Sequence, residues 1–198
     1  DVHGSRGLGD VYKRQILEPL GLAAGQVIPC REWRELYAAL DCGVVAAIHP
    51  FYTAAVREFE DAGKPIIGSA PVGVEGTNSW IDSVGDTFNI PKKTIGEAKQ
   101  KILPQIQKSL DDKKINNKIT VSGYEGSELI VARTLIEAGA EVPYVGTACP
   151  KTKWSTEDKD WLESRGVFVK FRASLEDDIS AVKSVNPDLA IGTTPVVQ

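Results

Sequence analysis

Short continuous apolar runs alternate with amphipathic stretches along most of this chain. In the first half, residues 26–29, 44–48 and 65–67 read as strands, and residues 31–40, 53–62, 77–88 and 94–110 as helices. The spacing of Trp33, Leu36, Tyr37 and Leu40 puts them on one helical face. Gly43 and Gly63 follow two of these helices as stop signals. Ile95, Ala98, Ile102, Ile106 and Leu110 form one stripe, and the lysines around it read as a solvated face. Pro104 removes a ladder bond there, which predicts a kink near Gln100.

The rhythm is cleaner in the second half. Strands over 119–121, 142–145, 167–171 and 189–191 alternate with helices over 127–138, 155–164 and 174–185. Ser155 and Ser174 read as N-caps, Asp158 falls at an N3 position, and Gly139, Gly166 and Asn186-Pro187 read as stops. Runs this uniformly apolar suit parallel strands buried on both faces, and strands separated by helices imply βαβ crossovers. The expected fold is α/β, with doubly wound, Rossmann-like parallel sheets and helices on both faces.

The polar stretch 111–118 predicts a boundary, giving an α/β domain over 16–115 and the first part of a second over 116–198. A doubly wound domain normally returns through a further helix after a strand such as 189–191, so the second domain reads as incomplete and the chain as truncated at both ends. Residues 1–15 are glycine-rich and lack the pattern of the rest. Within them, Asp10-Val11-Tyr12-Lys13-Arg14-Gln15 resembles translated adapter sequence, and the segment is read as a non-native tail.

Composition narrows the function classes. The 198 residues are 42% hydrophobic and 25% charged, as in an ordinary globular protein. A net charge of −4 argues against non-specific nucleic-acid binding. No apolar run approaches the roughly 20 residues of a membrane helix. Cys30, Cys42 and Cys149 are far apart in sequence, without a C-x-x-C, so they suggest neither a disulfide framework nor a zinc site; a reducing cytoplasm fits them.

In open α/β sheets, ligands bind beyond the carboxyl ends of the strands. Those ends carry His49 and Tyr52, then Gly68-Ser69-Ala70-Pro71, then Tyr124 and Glu125, then Cys149, then Thr193. All these loops are also rich in ordinary turn residues. His49 reads either as a proton donor or ligand contact, since histidine titrates near neutrality, or as a histidine bonded at a strand end. Glu125 reads as a ligand contact or a helix cap. Cys149 reads as a reactive thiol, a metal ligand or a packed side chain. Tyr52 and Tyr124 offer aromatic faces for a flat ligand. There is no G-x-x-x-x-G-K-[ST], no G-x-G-x-x-G after a strand and no G-x-S-x-G elbow, so neither ATP hydrolysis by this chain nor a dinucleotide site is supported.

Several whole segments carry a resemblance. Trp33 to Gly43, Ala46 to Thr53, Val121 to Glu128, Tyr144 to Pro150 and Ala190 to Gln198 resemble the Y subunits of the chlorophyllide a reductases, a nitrogenase-like family. The resemblance runs from about residue 16 to the end. It implies three doubly wound domains around a cavity, a heterotetramer with a Z subunit, and a separate X subunit, an iron–sulfur ATPase that delivers electrons. It implies a 4Fe–4S cluster whose ligands lie mainly outside this segment, and reduction of the C7=C8 bond of chlorophyllide a on the way to bacteriochlorophyll. The sequence departs from the cofactor-bearing subunit of nitrogenase, in which a metal-ligating cysteine opens the helix after the strand matching 44–48: here that helix start reads Thr53-Ala54-Ala55-Val56, with no ligand. The resemblance makes His49 a candidate proton donor and Tyr52, Tyr124, Glu125, Cys149 and Thr193 candidate substrate contacts. Two other functions stand beside it: a nitrogenase-like scaffold that assembles a cofactor without reducing anything, and a plain small-molecule-binding α/β module.

Overall fold

A computed structural model of the chain describes residues 15–30, 32–49 and 52–197. The predicted tail therefore lies outside the described residues, apart from Gln15. Two parallel sheets divide the strands. The first pairs β1 (Val45–Ala47) with β2 (Ile66–Gly68), Val45 opposite Ile66 and Ala47 opposite Gly68. The second has four strands, β3 (Lys118–Gly123), β4 (Glu141–Thr147), β5 (Phe168–Phe171) and β6 (Leu189–Ile191), in the order β5-β4-β3-β6. Every pairing is parallel. The α/β class read from the sequence is the class observed.

In the first half, α1 (Trp33–Leu40) precedes β1 and α2 (Thr53–Asp61) links β1 to β2. Two long helices follow, α3 (Gly73–Thr87) and α4 (Lys92–Asp111), and pack on each other. Their facing stripes make the core here: Trp80, Ile81 and Val84 meet Ile95, Ala98 and Ile102, with Ile16 and Leu20 on top and Ile67 from β2 beneath. The helix α4 runs through Pro104 without interruption. The strand expected over 26–29 is absent; that segment is irregular, because no neighbouring strand pairs with it and Pro29 has no N–H to give. The face of α1 that carries Trp33 and Tyr37 points outward, with these residues 79% and 69% exposed; only Ala39 of that helix is buried.

In the second half the sheet itself is the core. Ile119, Val121, Val145 and Val169 lie under α5 (Glu128–Glu137) and α6 (Thr156–Glu163), which contribute Leu129, Ala132 and Leu162. Successive strand residues face opposite sides, so Tyr144 points to the other face. There its hydroxyl donates to Asp178 of α7 (Leu175–Val185) at 2.8 Å. Helices thus cover both faces, as a doubly wound sheet requires. Ser174 caps α7 by accepting from the Asp177 N–H, and Asn186 ends it in a left-handed conformation. A single turn, α8 (Thr194–Val197), follows β6.

Candidate functional site

Because the strands within each sheet are parallel, their carboxyl ends share an edge, and the two edges meet across one cleft. Ala47 ends β1 and Ile48 and His49 follow it, Ser69 follows β2, Thr147 ends β4 and Cys149 follows it, and Phe171 ends β5; all line this cleft. Trp154, Ser155 and Asp158, from the turn and helix after β4, close its floor. Counted out to its open mouth the cleft encloses about 480 Å³, but the space left for the centre of a water is only about 20 Å³. The larger figure includes open solvent, so the smaller one decides what enters: about one water.

The sequence-derived candidates separate on this geometry. His49 and Cys149 both line the cleft. Tyr52 stands beside His49, with ring centroids 5.7 Å apart and planes tilted by 60°, and is 39% exposed at the start of α2. Tyr124 and Glu125 lie in the exposed loop between β3 and α5; neither lines the cleft, although Gly126 of the same loop does. Thr193 follows β6, on the far side of β3 from β4, and also stands outside the cleft. Its hydroxyl oxygen is buried without a hydrogen-bond partner.

Burial pushes the Cys149 thiol up, and the nearby Glu128 carboxylate adds to this, against the Thr147 hydroxyl, which acts the other way. A thiol so placed stays protonated at neutral pH and is a poor nucleophile. The carboxylate at the head of α5 is Glu128, where the sequence had pointed to Glu125. Glu128 is buried, accepts the Glu125 N–H at 2.9 Å and the Thr147 hydroxyl at 2.8 Å, and so ties the loop after β3 to the end of β4. Asp178 is another of the three buried carboxyls of this half, with Glu128 and Asp158. Burial is the main cause that raises its pKa, opposed by the Tyr144 hydroxyl, while Asp177 and Glu128 push it further up.

Sequence reasoning missed the cluster at the floor of the cleft. Arg133 of α5 is 1% exposed and forms an ion pair with Asp158 of α6, itself 5% exposed. The Ser69 hydroxyl donates to the same carboxylate oxygen at 2.8 Å. Asp158 had been read as an N3 residue supporting a Ser155 cap; Ser155 does hold the N-cap position, but its side chain makes no cap bond, and it pairs with Thr152 around the preceding turn Lys153–Ser155. A signal was available: Leu129, Ala132, Arg133 and Ile136 share one face of α5, and an arginine on an apolar stripe needs a buried partner.

No group of three or more His, Cys, Asp or Glu side chains that could hold a metal ion stands together among the described residues. No described helix is long and apolar enough to cross a membrane.

Parallel sheets with a cleft at their facing carboxyl edges define an open α/β ligand-binding architecture. The chain belongs to the nitrogenase component 1 type oxidoreductase family, whose model matches residues 5–198. It is 62% identical to the chlorophyllide reductase 52.5 kDa chain of Cereibacter sphaeroides, over 92% of this chain and 36% of that one. Identity to the corresponding chain of Rhodobacter capsulatus is 61%, over 92% and 37%. A more distant relative, the light-independent protochlorophyllide reductase subunit N of Prochlorococcus marinus, is 24% identical over 89% and 43%. Among solved structures, "Nitrogenase Cp1 at pH 5" superposes with a TM-score of 0.70 at 13% identity, over 92% of this chain and 44% of that one, which speaks for the fold alone. The chain spans little more than a third of the two chlorophyllide reductase chains it matches.

Proposed function

We propose that this chain is part of the catalytic component of a chlorophyllide reductase, which reduces the C7=C8 bond of ring B of chlorophyllide a. The observation that carries this reading is the 62% identity across 92% of the chain to a chlorophyllide reductase chain. The whole protein would pair with a Z subunit and take electrons from an X subunit, the ATP-hydrolysing iron–sulfur partner. Residues 16–115 and 116–198 would belong to successive α/β domains, each with one of the two sheets. A cytoplasmic setting agrees with three cysteines that form no disulfide.

Members of this family bind an iron–sulfur cluster in their full-length form. The residues described here do not fit one: two of the three cysteines are only partly buried and the third holds its proton in an apolar cleft, with no clustered donors.

The cleft's size shapes the substrate reading. Ligand pockets for molecules of drug size run to about 300–1,000 Å³, so a macrocycle cannot enter a space of about 20 Å³. The tetrapyrrole instead lies across the mouth, where exposed Tyr52 and Tyr124 offer ring faces, and a partner subunit would supply the opposite wall. Reducing a C=C bond adds two electrons and two protons. His49, at the lip beside Tyr52, is the proposed donor of one proton. Glu125, in the exposed loop after β3, is proposed as a contact to the pigment's substituents, and Cys149, buried on the cleft wall, and Thr193, outside the cleft, as more remote ones.

The test uses the full-length subunit assembled with its partners and supplied with chlorophyllide a. A bacteriochlorin product is expected, and His49→Phe should lower turnover at least about tenfold, a loss of roughly 1.4 kcal/mol of transition-state stabilisation. Turnover unchanged in that variant would leave His49 a structural histidine. A complex that neither binds nor reduces chlorophyllide a would overturn the reading in favour of an assembly scaffold.

A further inference from the structure

The floor of the cleft is also the place where the two halves of the chain touch through buried charge. Arg133 leaves α5 in the second half and reaches into the first. Its Nη1 meets Asp158 and stands 3.4 Å from the Ser69 hydroxyl. Its Nη2 lies against Gly76 of α3, where a Cβ would stand 2.9 Å away. Its guanidinium carbon sits 4.8 Å from the centre of the Trp161 ring. One turn further along α5, Glu137 accepts the N–H of Val74 and, at 3.3 Å, that of Glu75 at the start of α3. The Ser69 N–H donates to the Trp154 carbonyl at 3.3 Å. The contacts at Ser69, Gly76, Val74 and Glu75 join the first half to the second, while those of Arg133 with Asp158 and Trp161 hold the guanidinium in place within the second.

A buried ion pair is weak evidence for stability, since the desolvation of both charges offsets most of their attraction. What such a pair does impose is direction. An apolar seam tolerates sliding, whereas Ser69, Asp158 and the Arg133 Nη1 bond to one another in one arrangement only, with the Arg133 Nε buried and unpaired beside them. Ser69 and Asp158 also line the cleft, so their 2.8 Å hydrogen bond spans it at its base.

We infer that Ser69, Asp158 and Arg133 form a positioning latch that holds the carboxyl edges of the two sheets together and keeps the cleft at the width of about one water. The latch keeps His49, from the first sheet's edge, at a fixed place opposite Cys149, from the second. It touches no substrate; it acts by setting where the lip residues stand. The inference concerns this chain's own geometry and does not depend on the chlorophyllide reading.

Cys149, 5% exposed and on the cleft wall, reports on opening. In a Cys30→Ser/Cys42→Ser background of this chain, the rate at which a maleimide labels native Cys149 is measured against denaturant concentration. Ser69→Ala and Asp158→Asn should each raise that rate at least about tenfold, with a shallow denaturant dependence that marks local opening. Two controls separate a latch from plain destabilisation. Ile102→Ala, in the helical core of the first half, should lower the melting temperature without raising the denaturant-independent labelling rate. Arg133→Met/Asp158→Leu, an apolar replacement that need not lose stability, should keep the melting temperature yet label fast. Unchanged Cys149 labelling in the folded latch variants, or an equal rise in a melting-temperature-matched Ile102→Ala, would overturn the inference.

Discussion

The two halves of this chain use the same alphabet of parallel strands and helices but place their stability in different elements. In the second half the strands are the core: Ile119, Val121 and Val145 are 2%, 2% and 0% exposed. In the first half the strands are thin, with β1 showing no buried residue, and the core is the α3–α4 pair around Trp80, Ile81 and Val84. A sheet of two short strands cannot sustain itself. The first half therefore hangs its strand ends, and His49 with them, on a helical pair and on the polar seam to the second half. The lip of the cleft is thus built from one edge set in a sheet core and one edge held from outside.

Deleting side chains tests this division most strongly. Leu162→Ala, 0% exposed in the sheet-based core, should cost about 2–5 kcal/mol in denaturant unfolding, and so should Ile81→Ala in the helical one. Val45→Ala in the half-buried β1 should cost under about 1 kcal/mol, since it removes little packed surface. Equal losses at Val45 and Leu162 would break the comparison.

Helix starts come next in size. Ser174 both accepts from and orients Asp177 in a reciprocal box, so Ser174→Ala should cost about 1 kcal/mol. In the first half, the described helices α1 to α4 start after Glu32, Tyr52, Val72 and Pro91, and the last three of these make no side-chain cap bond. Alanine at Val72 should therefore leave the first turn of α3 intact by circular dichroism. A loss there matching Ser174→Ala would mean that local capping matters equally in both halves.

This difference explains what was legible in the sequence. In the second half the signals are local, and most hold: β6 is found at 189–191 as read, Ser174 caps, and Gly139, Gly166 and Asn186 all adopt positive φ; the exception is Ser155, whose side chain makes no cap bond. In the first half the deciding contacts are remote. The helix α3 begins at Gly73, four residues before the expected start, although its first turn holds two glycines that disfavour helix. Both have tertiary reasons: Gly73, at φ +62°, receives the Glu137 carboxylate, and Gly76 makes room for Arg133. Of the residues the strand-end principle picks out, His49 and Cys149 line one cleft, whereas Tyr52, Tyr124, Glu125 and Thr193 are not among its lining. The principle put Ser69 at a strand end but could supply neither Asp158 nor the role of Ser69, which follows from an arginine more than sixty residues further along the chain.

The smallest expected effect sits on the outer rim of the seam. Glu75 of α3 accepts the Trp161 indole N–H at 2.8 Å and both bonds of the Arg165 guanidinium, at 2.9 and 2.7 Å. The Trp161 hydrogen bond, with that of Arg165 behind it, holds the Glu75 carboxyl below the usual carboxylate range. Its side chain is 56% exposed, so solvent screens the pair. Glu75→Gln should then cost no more than about 0.5–1 kcal/mol at neutral pH, as for other surface ion pairs. Because the folded pKa is depressed, the unfolded chain binds the proton first as pH falls, and the stabilisation is present above the ordinary glutamate value of about 4.3. It disappears as pH falls through the folded value, so parent and Glu75→Gln stabilities should converge in acid, and converge also at about 1 M salt. A gap that persists under both conditions would assign Glu75 to packing against Trp161 instead of charge, and would extend the buried latch out to the rim of the seam.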